Sequence, residues 1–316
     1  MSTVNTAVLN SDTVSTNNLI VGNASGNIAI TANTTRLNIG ANVFINSTAI
    51  FVGNSTVNTV INSTALSTNS ITINGVTVNT ASTEKTLDYQ EFTSTGWGLW
   101  VKPANTTAND LVTIMMWGGG GGGNSTTTAT GGGGGACVIV NKLASECNTT
   151  CNVYVGAGGT IGLSGQTSVF WTNTTFSISA YGGGTKTGGS DSGGGGGWFS
   201  AGNNGTGGSP LGGSSGNPGG TSTFGGGGGG AGVGGQAGGP SVYGGAGGST
   251  TTGAAGQSIF GGGGGAGSTG VTGNSVFGGN GGNSSSQPLP PGGGASGTTN
   301  TTGARGEVRV WVYRVG

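Results

Sequence analysis

Histidine, the commonest general base and metal ligand, is absent from all 316 residues. The residues that remain for chemistry fall short of a catalytic set. Gly212-Gly-Ser-Ser-Gly216 has the letters of a G-x-S-x-G elbow, but its serine would need a histidine to take the proton, and Gly/Ser tracts give this pattern by composition. Gly184-Thr-Lys186-Thr lacks the glycine that precedes lysine in a phosphate loop. Glu84, Asp88 and Glu91 cluster as a solvated face does. Cys147-x3-Cys151 could bind metal or form a disulfide. With Cys137 the only other thiol, four-ligand zinc would need a carboxylate from elsewhere. The three thiols are expected to be buried and inert, so no catalytic residue, metal site or cofactor is expected.

Charge narrows the partners. Eight Lys/Arg balance eight Asp/Glu, 5% of the chain against roughly 25% in ordinary domains. Between Cys147 and Ala304 the only charges are Lys186 and Asp191. Each neutralised phosphate requires a cation, so no nucleic-acid partner is expected. The longest apolar run, Leu111–Trp117, is far shorter than the ~20 residues that span a bilayer, and no membrane insertion is expected. Met1-Ser-Thr-Val-Asn-Thr has neither the basic nor the apolar region of a signal peptide. What remains is binding by a scaffold, and the scaffold must be glycine.

Only seven of the 78 glycines precede Trp117. Beyond it one phrase recurs four times: Gly220-Thr-Ser222-Thr-Phe224, Gly239-Pro-Ser241-Val-Tyr243, Gly256-Gln-Ser258-Ile-Phe260 and Gly273-Asn-Ser275-Val-Phe277, each followed by Gly-Gly. The aromatics are 19, 17 and 17 residues apart, which marks an architectural repeat. Glycine at this density loses much backbone entropy on ordering. Collagen would need glycine at every third position, a register that the unbroken blocks Gly118–Gly123, Gly131–Gly135 and Gly225–Gly230 do not require. Disorder would not keep the phrase in step. Helices of polyproline-II geometry, with three residues per turn, could pack with no Cβ between them until each N–H and C=O bonds a neighbour. The four aromatics would then stack along one edge, with the four serines bonding locally at the turns.

The first 80 or so residues are rich in Ser, Thr and Asn, with short β-branched clusters such as Leu19-Ile-Val21, Val43-Phe-Ile45 and Val76-Thr-Val78 that read as short strands. Ile45-Asn-Ser-Thr-Ala49 recurs as Ile61-Asn-Ser-Thr-Ala65. Strands with so few large side chains need stacked rungs or several chains wound together; the alternative is a disordered linker. Further on, Glu91–Pro103 reads as an aromatic-rich strand pair. The last segment, Gly306–Val315, alternates Val308, Val310 and Val312 with Arg309, Trp311 and Tyr313, and is expected to pair with strands around residues 92–117.

Phe92-Thr-Ser-Thr-Gly, Trp100-Val-Lys-Pro103, Trp117-Gly-Gly-Gly, Val153-Tyr-Val-Gly-Ala-Gly-Gly159, Ala180-Tyr-Gly-Gly-Gly184 and Gly306-Glu-Val-Arg-Val-Trp-Val resemble the glycine-rich domain of tail-fibre and tail-tip adhesins of tailed bacteriophages. The Asn-Ser-Thr repeats are similar to fibres of phages of marine bacteria. The resemblance implies a place on the virion tail, a bacterial surface receptor (glycan or outer-membrane protein), other phage tail proteins as N-terminal partners, and glycine runs bundled as polyglycine II.

The expected fold class is therefore all-β plus irregular structure. Residues 1–83 form a repetitive β-shaft, an intertwined homotrimer serving attachment. Residues 84–316 form a glycine-rich β domain, with its β part in 88–181 and a closing strand at 306–315. Bundled polyglycine II helices occupy about 117–303. Function concentrates on loops held by a scaffold, so the receptor-binding candidates are the residues that interrupt the glycine: Trp198, Phe199, Asn203, Asn204, Leu211, Thr251, Pro288, Leu289 and Pro290. Trp198 and Phe199 read either as an exposed anchor or as a plug on the β part. Pro288–Pro290 reads either as an apolar tip or as a turn ending the last rod. The competing functions are a structural tail or capsid-decoration protein and, more remotely, an ice-binding protein.

Overall fold

A computed structural model describes residues 87–314 apart from 126–128, 173–175, 187–190, 217 and 233. It also gives the backbone of nine strands between Leu19 and Val78. The chain divides into two compact units, Met1–Glu84 and Lys85–Gly316. In the first, β1 (Leu19–Asn23), β2 (Gly26–Ala32), β3 (Arg36–Ile39), β4 (Val43–Asn46), β5 (Ala49–Gly53), β6 (Asn58–Asn62) and β7 (Leu66–Thr68) pair in chain order as one antiparallel sheet. A hairpin follows, β8 (Ile71–Ile73) with β9 (Val76–Val78). The two Ile-Asn-Ser-Thr-Ala phrases play one part, since their Ile-Asn pairs end β4 and β6. The ladders described here run within one chain.

The second unit builds a two-sheet sandwich. One sheet has the order β10 (Asp88–Phe92), β17 (Glu307–Tyr313), β12 (Leu111–Trp117), β13 (Cys137–Leu143). The other has β11 (Gly96–Val101), β14 (Thr150–Val155), β15 (Ser168–Trp171), β16 (Ser177–Ala180). All pairs within these two sheets are antiparallel. Period-two alternation supplies the core between them: Val112, Ile114 and Met116 of β12, Val308, Val310 and Val312 of β17, and Trp100, Val153 and Phe170 from the facing sheet are all buried. The last strand lies between β10 and β12, with Val310 opposite both Gln90 and Ile114.

One expectation fails here. Glu91–Pro103 does not pair with itself: β10 bonds β17, and β11 bonds β14 in the other sheet. Gly96, at φ 100°, turns the chain in a conformation open to glycine and carries it across the sandwich. A hairpin would leave both strands in one sheet; the crossover instead lets Trp100 enter the core within 5.7 Å of Phe170.

From Trp117 the chain enters the glycine runs, where the hydrogen bonds repeat at every third residue. Gly118 and Gly121 donate to Ala136 and Gly133, Gly119 and Gly122 to Gln166 and Leu163, Gly120 and Gly123 to Ala304 and Thr301, all at 2.7–3.0 Å. The run 131–136 is enclosed by six segments. Its amides donate in rotation to the segments at 246–249, 292–295 and 181–184; its carbonyls accept from those at 118–121, 193–196 and 262–265. Such a run leaves room for no side chain larger than an occasional alanine such as Ala136, and a Cβ at Gly120 would lie on the Gly293 carbonyl. Satisfied backbone groups thus do here what apolar side chains do in the sandwich.

Candidate binding surface

The four repeat phrases form a staircase at the end of the glycine runs nearest the sandwich. Ser222, Ser241, Ser258 and Ser275 are joined in that order by parallel bridges. The amides of Tyr243, Phe260 and Phe277 donate to Thr223, Val242 and Ile259 of the preceding step at 2.8–2.9 Å. The hydroxyls of the last three serines also reach back one step, a contact that the expectation of local bonds did not include. Ser241 Oγ donates to Gly225 O (2.7 Å), Ser258 Oγ to Gly244 O (2.8 Å) and Ser275 Oγ to Gly261 O (2.6 Å). Stacked steps bring the previous carbonyl within reach. Local bonds are added at Ser222 and Ser275, whose Oγ accept from the Gly225 and Gly278 amides.

Beside the serines the rings stack. Phe224, Tyr243, Phe260 and Phe277 follow at centroid separations of 5.3, 4.7 and 4.9 Å, within 7° of parallel. Trp198 lies beside the first two rings, edge-on to Phe224 and Tyr243. Two indoles fasten the stack to the sandwich: Trp198 Nε1 donates to Cys137 O (2.8 Å) and Trp117 Nε1 to Phe260 O (2.7 Å).

Alternation on each step sends the residues flanking the serine outward. Thr221, Pro240 and Gln257 on one side, and Thr223, Val242, Ile259 and Val276 on the other, border a groove of about 700 Å³ that Pro210 and Leu211 close at one end. No lining residue is charged. Leu211 is 92% exposed and held at φ 52°, a left-handed conformation that costs a non-glycine residue about 1–2 kcal/mol. Its carbonyl accepts from Ser222 Oγ (2.8 Å), which ties it to the first step.

The structure distributes the other candidates widely. Trp198 is half-buried and packs on the sandwich core, so of its two readings the plug is the one seen. Phe199 beside it is exposed. Asn203 and Asn204 lie at the opposite end of the runs, around a shallow depression of about 390 Å³ with Leu163 and Thr185. Thr251 is also at that end, its amide bonded to Ala129 O. Pro288 is buried and Leu289 half exposed; Leu289 donates to Asn280 O (2.9 Å), so the segment closes the flank of the last repeat. Leu211 alone among the candidates borders the groove. Sequence reading missed Val242, Ile259 and Val276, although β-branched residues follow the serine in all four phrases.

The description of known families then decides the affiliation: the model of the glycine-rich domain matches residues 93–313. The chain belongs to the glycine-rich domain family. No curated protein matches it. The match begins with β11 and ends with β17, and so takes in most of the sandwich and all the glycine runs.

Within the glycine-rich domain the three thiols are free and buried. Burial pushes the Cys137 thiol up. A hydrogen bond between Cys151 and Cys147 draws Cys147 down and holds Cys151 up. Since the thiolate is the reactive form, brief alkylation of the native protein with iodoacetamide is expected to mark Cys147 first, and peptide mass spectrometry reads the order.

Proposed function

We propose that the chain is a tail-fibre or tail-tip adhesin of a tailed bacteriophage. In this reading the N-terminal unit is a shaft that trimerises and docks on other tail proteins. The glycine runs are polyglycine II helices, a reading supported by their bonding period of three and the three residues per turn of that geometry. The observation that carries the functional reading is the uncharged groove with the strained, exposed Leu211 at its end. A left-handed conformation kept at an exposed apolar residue points to a functional contact there, and apolar side chains on a rigid frame suit a surface receptor.

Fluorescently labelled protein is expected to stain host cells and to compete with virions for adsorption. Leu211→Asp and Val276→Asp, which place a charge in the groove, are expected to lower staining at least tenfold, roughly 1.4 kcal/mol of binding, with the melting temperature unchanged. A protein that neither stains cells nor competes serves as a structural tail or decoration protein instead. Sedimentation of the full chain tests the trimer.

A further inference from the structure

A second binding surface lies on the outer face of the sheet β11-β14-β15-β16. The outward face of an antiparallel sheet is ordinarily polar, yet here Trp97 is 68% and Leu99 52% exposed. The register sets Trp97 opposite Tyr154, and Tyr154 opposite Val169, two residues from Trp171. The Trp97 ring stacks on Trp171 (5.0 Å, 28°) and meets Tyr154 edge-on (5.2 Å). Although Trp171 covers one side of it, Trp97 remains the more exposed of the two.

Two carboxamides border these rings. Tyr154 Oη donates to Gln166 Oε1 (2.8 Å), and the Ala157 amide donates to the same oxygen (3.3 Å). Both partners are donors, which fixes the amide orientation and leaves the Gln166 –NH2 to donate outward from an exposed side chain. Asn152, also exposed, lines a shallow depression of about 600 Å³ with Trp97 and Leu99. None of these residues is charged.

The combination selects a ligand class. The faces of aromatic rings are electronegative, and one face of a pyranose offers them C–H bonds of opposite polarity, while its rim offers hydroxyls to carboxamides. Nucleobases also stack on aromatic platforms, but their phosphates need cations, and this face supplies none. A purely apolar partner would cover Gln166 and Asn152 without pairing their amides, which is unfavourable. We propose that Trp97, Trp171 and Tyr154, with Gln166 and Asn152, bind neutral hexopyranose units of a polysaccharide. The site is separate from the groove and does not depend on the adhesin reading.

The test is native electrophoresis of the full chain through gels cast with dextran, mannan, galactan or starch. At least one is expected to retard the protein. Trp97→Ala is expected to abolish the retardation, Gln166→Ala to weaken it about tenfold, and Leu211→Ala to leave it unchanged. The same polysaccharide is expected to protect Trp97 of the unmodified chain from N-bromosuccinimide, a readout that needs no variant to fold. Three results would each overturn the proposal: no retardation in any gel, retardation unaltered in Trp97→Ala, or an oligomer that dissociates in Trp97→Ala because a second copy covers this face.

Discussion

Gly133→Ala is expected to leave no folded protein in the soluble fraction. The added methyl would sit on the carbonyl of Gly194. That carbonyl cannot simply withdraw, because it also accepts from the Gly184 amide, while the Gly133 amide is committed to Gly184 O (2.9 Å). Overpacking in a side-chain core costs about 1–3 kcal/mol because rotamers can yield. Here only backbone surrounds the site, and each buried group torn from its partner costs about 1–3 kcal/mol. A few such losses reach the whole stability of a domain, about 5–15 kcal/mol. Gly227→Val meets the Gly239 carbonyl in the same way and is expected to fail too. Two controls set the scale. Gly98→Ala faces the Phe92 ring at 3.1 Å, which can turn, and is expected to change stability by less than about 1 kcal/mol. Gly232→Ala has nothing within 4 Å but sits at φ +95°, and is expected to cost about 1–2 kcal/mol. Thermal melts of the soluble fractions measure all four; a Gly133→Ala protein melting like the unsubstituted one would refute the backbone-packed interior.

Legibility followed how local each signal was. The closing strand announced itself because Val308, Val310 and Val312 alternate with larger residues, and that period survives in any antiparallel pairing. The repeat phrase was visible because four copies align without gaps. Its outcome was less so: a serine's bonding to the previous step depends on which carbonyl the neighbouring run presents, and that is a three-dimensional fact. The β10–β11 crossover was hidden for a similar reason, since Gly96 in a turn looks the same whether the chain doubles back or changes sheet. Among the binding candidates, rarity within the glycine was the only available guide. It singles out Trp198 and Leu211 equally, although one is half-buried against the core and the other 92% exposed. The Trp97 platform escaped notice because three strands contribute to it, and Tyr154 and Trp171 are brought together only by register.

Trp117→Ala is expected to cost about 3–5 kcal/mol, the range for a large buried aromatic, and to do so through the joint between sandwich and staircase. Trp117 is fully buried, Arg309 lies over its ring at 5.0 Å, and its Nε1 donates to Phe260 O. Trp117→Phe keeps much of the packing but deprives the Phe260 carbonyl of its donor, so about 1–3 kcal/mol is expected. Trp198 makes the matching bond from the staircase to Cys137, and the Cys137 amide itself donates to Tyr243 O (2.8 Å). The rings of Tyr243 and Phe260 are stacked at 4.7 Å, so the two indoles hold adjacent members of one stack. Substitutions at Trp117 and Trp198 should therefore not add: urea melts of the single and double variants are expected to give a coupling of about 0.5–3 kcal/mol. Strict additivity would mean that the stack transmits nothing between the two fastenings. The two indole bonds would then fasten the sandwich to the glycine runs independently of each other. Coupling of the expected size would make sandwich and runs one cooperative body, in which the aromatic stack does mechanically what no side-chain core could do inside the glycine.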